Sequence, residues 1–157
     1  MKSTICKIAI SVILSCFILF PLSAKQLFVS PEGDDSADGS SSGNAFKTMS
    51  KAVDAAEEGD EIVLLGIIDI SQEPADKIYN SDAYNKNNQG VKILDKGLTI
   101  SGDPNQTRTK TGFTGNKTTT CLRLDGLNKK VTIRNLSIKE GNPTSDKGAG
   151  CFIRNAT

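Results

Sequence analysis

Four charged residues on or beside strand-like runs are the first candidates for chemistry in this sequence. They are Arg123, Asp125, Arg134 and Lys139. Together they could form a charged face able to take part in catalysis. Alternate residues of a strand point outward in any case, so a solvated surface explains the same pattern. We therefore predict a surface here and assign no catalytic residue.

Three further aspartates, Asp69, Asp95 and Asp103, lie next to glycine or at the end of a strand-like run. Aspartate at such positions commonly accepts backbone hydrogen bonds in an Asx-turn. A glycosidase instead needs two carboxyl groups that flank the bond to be cleaved. No paired spacing of that kind is evident, so the residues give glycosidase chemistry no direct support.

Histidine is absent from the 157 residues, which excludes a histidine base, a Ser-His or Cys-His pair and a histidine-ligated metal. A calcium-loop spacing occurs at Asp34, Ser36, Asp38 and Gly39. The twelfth position of that loop, which in an EF-hand holds a bidentate Glu, is Ala45. Residues 33–44 are therefore predicted to form a turn-rich loop, with calcium as the alternative, and no cofactor or metal is predicted.

The cysteines divide between the N-terminal apolar segment, which holds Cys6 and Cys16, and the rest of the chain, which holds Cys121 and Cys151. Two cysteines are too few for a tetrahedral zinc site or a disulfide-dense fold. Cys121 and Cys151 occupy similar places in consecutive repeats, where neighbouring strands lie about 4.8 Å apart. We expect buried, stacked thiols, with a disulfide as the alternative.

The N-terminus has the layout of a secretory signal peptide. Lys2 and Lys7 precede an uncharged run over residues 8–20, which is shorter than the roughly 20 residues of a membrane span. Pro21 then breaks the helix, and a small residue, Ala24, occupies the cleavage position. The sequence predicts removal of residues 1–24 and no retained transmembrane helix.

A lipid anchor at Cys16 is the alternative to simple cleavage. Residues 13–16, Ile-Leu-Ser-Cys, are similar to the lipobox that precedes a lipidated cysteine. The residues that follow are apolar, whereas a lipoprotein normally has a polar tether there. Secretion or display at the cell surface or outer membrane is the predicted location under either interpretation.

The mature chain, residues 25–157, is long enough for one domain with a core of its own. Removing two lysines with the signal leaves 17 basic and 18 acidic residues, a net charge of −1. This balance gives no support for nucleic acid or an anionic membrane as partner. A loop predicted over residues 71–90 carries Tyr79 and Tyr84, which could stack on sugars or pack locally.

One helix and a series of short strands are predicted. Met49, Ala52, Val53 and Ala56 follow helical spacing, and Thr48 or Ser50 can cap a helix over residues 48–57. Strand-like runs are Gln26–Ser30, the buried run EIVLLGIIDI, and VKIL, LTISG, CLRLDG, VTIRNLSI and GCFIRN.

Comparable runs recur at near-constant spacing, which is typical of a solenoid. The distances are 31 residues from Ile62 to Ile93, 33 from Leu98 to Val131, and 30 from Cys121 to Cys151. Hairpin sheets and βαβ crossovers fit poorly, because no helix separates the later runs.

The N-terminal segment LFVSPEGDDSADGSSSGNAFKTMSKAVDAAEEGDEIVLL resembles secreted right-handed parallel β-helix proteins of the pectate-lyase-like fold. These proteins open with a strand, a polar turn, a Pro-Phe-x-Thr-Ile-x-x-Ala helix and a Gly-Asp turn. Ala45 and Met49 stand where the family tends to have Pro and Ile. The resemblance implies an all-β solenoid whose helix caps the first coil, with Met49, Val53 and Ala56 facing inward.

The run GAGCFIRN is similar to the GGA(I/L) and FxxN elements of polymorphic outer-membrane proteins, with Phe152 and Asn155 matching FxxN. The chain stops just after this run without a capping element, so we expect the solenoid to be truncated at its C-terminal end. The resemblance favours a bacterial, non-catalytic, adhesin-like module that binds glycans or other cell-surface molecules. The alternative is the N-terminal fragment of a polysaccharide lyase or glycoside hydrolase, so whether the chain is an enzyme stays open.

The signal peptide makes a direct prediction about the mature N-terminus. When residues 1–157 are expressed in a bacterial host, the exported protein is expected to begin at Lys25. Intact mass and N-terminal sequencing check this. A product that retains Met1, or one that is lipidated at Cys16, would contradict it.

Overall fold

The computed structural model describes residues 23–77, 90–94, 96–125, 129–141 and 150–154. In these residues strands dominate, the strand pairs are parallel and helices are few. This architecture is compatible with an all-β or an α/β class. The predicted signal segment lies outside the described residues except for Ser23 and Ala24, and Tyr79, Tyr84, Asp95 and Asn155 also lie outside them.

Ten strands and one short α-helix follow one another along the described chain. The strands are β1 (Gln26–Val29), β2 (Glu61–Leu64), β3 (Ile67–Asp69), β4 (Val91–Leu94), β5 (Thr99–Gly102), β6 (Gly112–Thr114), β7 (Leu122–Asp125), β8 (Thr132–Arg134), β9 (Ser137–Lys139) and β10 (Cys151–Arg154). The helix α1 (Met49–Ala55) lies between β1 and β2, and 3₁₀ turns occupy Ser42–Asn44 and Ile70–Gln72.

The strands form three parallel sheets. Sheet A has the order β1-β2-β5-β8, sheet B the order β3-β6-β9, and sheet C the order β4-β7-β10. From β2 onward, successive strands therefore enter sheets A, B and C in turn, three times over. Every pairing joins strands that are distant in sequence, so the backbone hydrogen bonds of each strand are completed only by tertiary contacts.

The spacing between paired strands is less regular than the sequence predicts. The equivalence of Ile62 and Ile93 is wrong, because Ile62 pairs with Ile100 in sheet A whereas Ile93 lies in sheet C. The 33-residue step after Leu98 is confirmed by the pairing of Thr99 with Thr132. In sheet B the step changes from 45 to 25 residues. Because the turns differ in length, the number of residues between paired strands varies, and a search for one fixed repeat length does not find the pairing.

Two predicted runs are each divided between two sheets. The run EIVLLGIIDI forms β2 in sheet A and β3 in sheet B, with a bend at Leu65 and Gly66, so the prediction of one continuous strand is wrong. VTIRNLSI likewise forms β8 and β9 around Asn135, whose φ of 50° is tolerated by asparagine. Strand β6 was not predicted, because Gly112–Thr114 is too short to give an alternating pattern.

The core lies on the inward faces of the three sheets and beneath α1. Buried apolar residues alternate along several strands, for example Leu27 and Val29 in β1, and Val91 and Ile93 in β4. Phe113, from the unpredicted β6, is fully buried among them. Burial of side chains of this size contributes about 1.5–3 kcal/mol each, which makes the shared interior the main source of stability.

The helix begins one residue later than predicted and ends two residues earlier. Thr48 is its N-cap, with Oγ1 accepting from Lys51 N at 3.3 Å. The predicted inward face is confirmed, since Met49 is fully buried and Val53 and Ala56 are only 7% and 3% exposed. Ser50 is not the cap residue.

Two distant carboxylates hold the N-terminal turn of α1. Asp35 accepts hydrogen bonds from Lys47 N, Thr48 N and Thr48 Oγ1 at 2.8–2.9 Å. Glu73 accepts from Met49 N at 2.6 Å, Ser50 N at 3.0 Å and Ser50 Oγ at 2.5 Å. Together they satisfy donors that a helix start leaves without a partner.

The C-terminal end of α1 is held by lysines. Lys96 Nζ donates to Val53 O at 2.8 Å and to Ala56 O at 2.9 Å. Lys25 Nζ donates to Ala55 O at 3.2 Å. Carbonyls at a helix end favour cations, so the seven-residue helix is fixed at both termini by residues outside it.

Removal of the Glu73 carboxylate is expected to destabilise the fold. Glu73→Ala leaves Met49 N, Ser50 N and Ser50 Oγ without this acceptor, and we expect a loss of about 1–3 kcal/mol of unfolding free energy. Urea unfolding followed by circular dichroism measures it. Glu32→Ala, at an exposed glutamate, is the matched control and should have little effect; equal losses for the two variants would refute the capping role.

Candidate functional site

The outer face of sheet A presents polar and apolar side chains in register. Because alternate strand residues point to opposite faces, the inward direction of Leu27, Ile62 and Ile100 turns their neighbours to the outer face, where Val63 and Ser101 are nevertheless only 3% and 4% exposed. Phe28, Val63, Ser101 and Arg134 form one outward row across the four strands, since each pairs with the next. Gln26 and Glu61 belong to the adjacent outward row.

Glu61 is the centre of a hydrogen-bond network on this face. Its Oε2 accepts from Gln26 Nε2 at 3.0 Å, and its Oε1 accepts from Ser101 Oγ at 2.7 Å and from an Arg134 guanidinium nitrogen at 2.5 Å. The Glu61 side chain is 17% exposed and that of Arg134 is 61% exposed. One carboxylate thereby links β1, β2, β5 and β8.

The network keeps Glu61 ionised. Partial burial opposes the charged form, but the hydrogen bonds from Gln26, Ser101 and Arg134 outweigh it and the pKa of Glu61 lies below its usual value. A carboxylate in this state is an acceptor at neutral pH and has no proton to donate. It suits recognition of hydroxyl groups better than general acid catalysis.

A groove of about 280 Å³ follows this face of sheet A. We call it the sheet A groove; it is lined by Gln26, Phe28, Glu61, Val63, Ser101, Gly102, Asp103, Pro104, Asn105, Arg134 and Asn135. Phe28, which is partly exposed, gives it an apolar floor above the buried Val63, while charged and amide groups form its rim. A wider recess of about 920 Å³ adjoins it, shares Gln26, Phe28 and Glu61, and extends to Asp38 and Ser40.

The rim of the groove after β5 is shaped by local turns. Asp103 Oδ1 accepts from Asn105 N at 2.9 Å, which is the predicted Asx-turn. Asn135, which directly follows the neighbouring strand β8, donates through Nδ2 to Gly102 O and Asp103 O, each at 3.3 Å. These contacts set the backbone positions of Asp103, Pro104 and Asn105 along one wall.

The four charged residues first considered do not form one face. Arg134 lies in sheet A, Arg123 in sheet C and Lys139 in sheet B. Arg123 is only 1% exposed, so the prediction of a solvated surface is wrong for this residue. Lys139 is exposed and donates to Thr109 O at 2.8 Å. The side chain of Asp125 lies outside the described residues.

The remaining acidic candidates are engaged in turns. Asp69 accepts from Ser71 N at 2.9 Å and from Ser71 Oγ at 2.6 Å, which confirms its Asx-turn. In the loop whose residues have the spacing of a calcium loop, Asp34 accepts a hydrogen bond from Ser36 N and Asp38 accepts one from Ser40 N. These hydrogen bonds lower the pKa of Asp34 and of Asp38. The described part of the chain contains no group of three or more His, Cys, Asp or Glu residues that could hold a metal.

Cys121 and Cys151 are free thiols, but Cys151 is only partly buried and pairs with Leu122, so the predicted alignment of the two cysteines is off by one residue. Cys121 is fully buried, and its Sγ lies 3.7 Å from Lys139 O. Burial raises the pKa of Cys121 to about 12 and also raises that of Cys151. Thiols that stay protonated at neutral pH are poor nucleophiles, so these two contribute to packing.

Sequence reasoning missed Glu61, the residue at the centre of the network. Its position before an apolar run resembles an ordinary strand start, and its partners Gln26, Ser101 and Arg134 are 35, 40 and 73 residues away. An alignment of the outward positions of β1, β2, β5 and β8 would have brought Glu61 together with its partners. That alignment requires the register of sheet A, which the sequence does not provide.

Searches of protein-family models, curated proteins and solved structures found no match to the chain. In the described ranges, none of the helices has the length and apolar character required to cross a bilayer. The candidate site therefore rests on the groove and its geometry alone.

The charge of Glu61 is expected to stabilise the protein in a pH-dependent way. Since its folded pKa is lowered, its contribution is present above the unfolded pKa of about 4.3 and disappears as pH falls through the folded pKa. Thermal unfolding of the wild type and Glu61→Gln should thus differ most at neutral pH and converge in acid. Glu32→Gln, outside the groove, is the control, and a difference independent of pH would contradict the prediction.

Proposed function

We propose that this chain is an exported surface module that binds glycans without turning them over, and that it folds as a right-handed parallel β-helix. The signal-like N-terminus supports export. The similarity to β-helix surface proteins supports the fold and the adhesin-like role. The sheet A groove is the observation that carries the binding function.

The strand order supports the β-helix. After β1, the chain visits sheets A, B and C in the same order three times, and each strand pairs in parallel with its counterpart in the next round. A coil with one strand on each of three faces produces this order. The bends at Leu65–Gly66 and at Asn135 are the corners between the first two faces.

The composition of the groove supports a carbohydrate ligand. Sugars offer an apolar ring face beside many hydroxyl groups, and the partly exposed Phe28 supplies a surface on which such a face can lie. Around it, Glu61 and Asn105 can accept hydrogen bonds from sugar hydroxyl groups, while Arg134 can donate hydrogen bonds to sugar oxygens. The adjoining recess extends the surface, which fits an oligosaccharide better than a single small molecule.

The state of the acidic groups supports binding over catalysis. Glu61 accepts three hydrogen bonds and Asp103 accepts within its own turn, so both serve as fixed acceptors. A hydrolase requires one carboxyl group that carries a proton. Glu61, with its lowered pKa, does not meet that requirement.

Phe28→Ala is expected to weaken glycan binding about tenfold or more, because loss of a stacking surface costs on the order of 1–3 kcal/mol. Binding is measured by calorimetry on neutral and acidic oligosaccharides selected from a glycan array. Ile153→Ala is the matched control, since Ile153 is 59% exposed in sheet C and lies outside the groove.

The same samples test the enzymatic alternative. Incubation with acidic and neutral polysaccharides, with and without calcium, is followed by absorbance at about 235 nm for unsaturated products and by an assay of reducing ends. Binding without turnover supports the proposal. Turnover that is lost in Glu61→Gln or Arg134→Ala would replace it with a lyase or hydrolase, and absence of binding to every glycan would refute the glycan ligand.

A further inference from the structure

The backbone nitrogen of Lys25 lies against a buried carboxylate. Lys25 N donates to Asp60 Oδ1 at 2.9 Å, and Asp60 is only 3% exposed. The second oxygen, Oδ2, accepts from Glu57 N at 2.8 Å and lies 3.7 Å from Lys25 Nζ. A buried carboxylate needs such donors, because desolvation without them is costly.

Lys25 is also the point at which the chain becomes fixed to the fold. Its carbonyl accepts from Glu61 N at 3.0 Å, which starts the pairing of β1 with β2. The two residues before it, Ser23 and Ala24, are exposed. Lys25 and Gln26 are exposed as well, so the predicted cleavage site between Ala24 and Lys25 is marked by the start of pairing in sheet A and not by a change in burial.

We propose that cleavage after Ala24 converts Lys25 N into an α-ammonium group that forms an ion pair with Asp60, so that processing itself completes the start of sheet A. This inference rests on the proposed export. In the hydrolysis, water gives its hydroxyl to the Ala24 carbonyl carbon and a proton to the Lys25 nitrogen as their bond breaks. The new amine then takes a second proton from solvent.

The charge change strengthens a contact that the fold already makes. A hydrogen bond between an ammonium and a carboxylate is roughly twice as strong as one from a neutral amide. The charged groups in contact with this position are Asp60 and the Lys25 side chain; Asp38 and Glu61 line the adjoining recess, and the neighbouring cations are Lys96, which donates to Ala56 O, and Arg134, which pairs with Glu61. Because Arg134 already pairs with Glu61, the buried Asp60 carboxylate is the group that favours an added positive charge at Lys25 N.

The pH dependence has a definite sign. An amine whose folded pKa is raised by a carboxylate contributes stability that is complete below its unfolded pKa, about 7.7, and is lost as pH rises through the folded pKa. The unfolding midpoint of the processed chain should thus fall in mildly alkaline solution. A chain whose α-amino group is blocked should lack this component.

Three versions of the mature chain test the ion pair: residues 25–157 with a free α-amino group, the same chain acetylated at that group, and a chain that retains Ala24. The free form is expected to unfold about 4 °C above the other two at pH 7 and to converge with the acetylated form at high pH. Reaction of the α-amino group with an acylating reagent across pH, followed by mass spectrometry, should give a pKa above the ordinary value.

Asp60→Asn should remove the difference between the free and acetylated forms; if that variant fails to fold, the comparison in the unmodified sequence still decides. Equal midpoints and an ordinary amine pKa in the wild-type sequence would overturn the ion pair. N-terminal sequencing of the exported chain distinguishes a failure of the proposed export and cleavage from a failure of the ion pair. A first residue other than Lys25 contradicts the processing and the ion pair together, whereas Lys25 with equal midpoints contradicts the ion pair alone.

Discussion

Parallel pairing in register across sheet A controls both faces of that sheet. Once Leu27, Ile62, Ile100 and Ile133 are aligned, every alternate side chain on β1, β2, β5 and β8 must point outward. The interior and the groove are thus two results of one alignment. A slip of one residue would place Glu61 in the core and Ile62 in water, so the buried row specifies the register strongly.

The first strand needs a partner on its open side, and the chain provides one from its own loop. Phe28 N donates to Gly39 O, and Phe46 exchanges hydrogen bonds with Phe28 and Ser30. Gly39 has a φ of 70°, and a Cβ there would meet the Phe46 ring, so the loop can close only with glycine. Strands β8 and β10, at the opposite edges of sheets A and C, are less well covered than β1. Their inward residues Ile133 and Ile153 are 36% and 59% exposed.

The short helix depends on long-range contacts in the same way. Seven residues are too few for an independent helix, and α1 persists because its apolar face is buried and both of its ends are satisfied by other segments. Glu73 illustrates the balance. Burial raises its pKa although three donors from Met49 and Ser50 favour the charged form.

Local sequence patterns were enough to predict the helix with its Thr48 cap, the Asx-turns at Asp69 and Asp103, and most of the strands. Amphipathic spacing and turn-forming residues act over a few positions, so they can be recognised without a structure. Tertiary structure alone decided which strands pair, how EIVLLGIIDI divides between two sheets, and that Arg123 is buried. It also decided the candidate site, because Glu61 and Arg134 are 73 residues apart and meet only when β2, β5 and β8 align. Turns of unequal length separate these strands, and no local signal records their register.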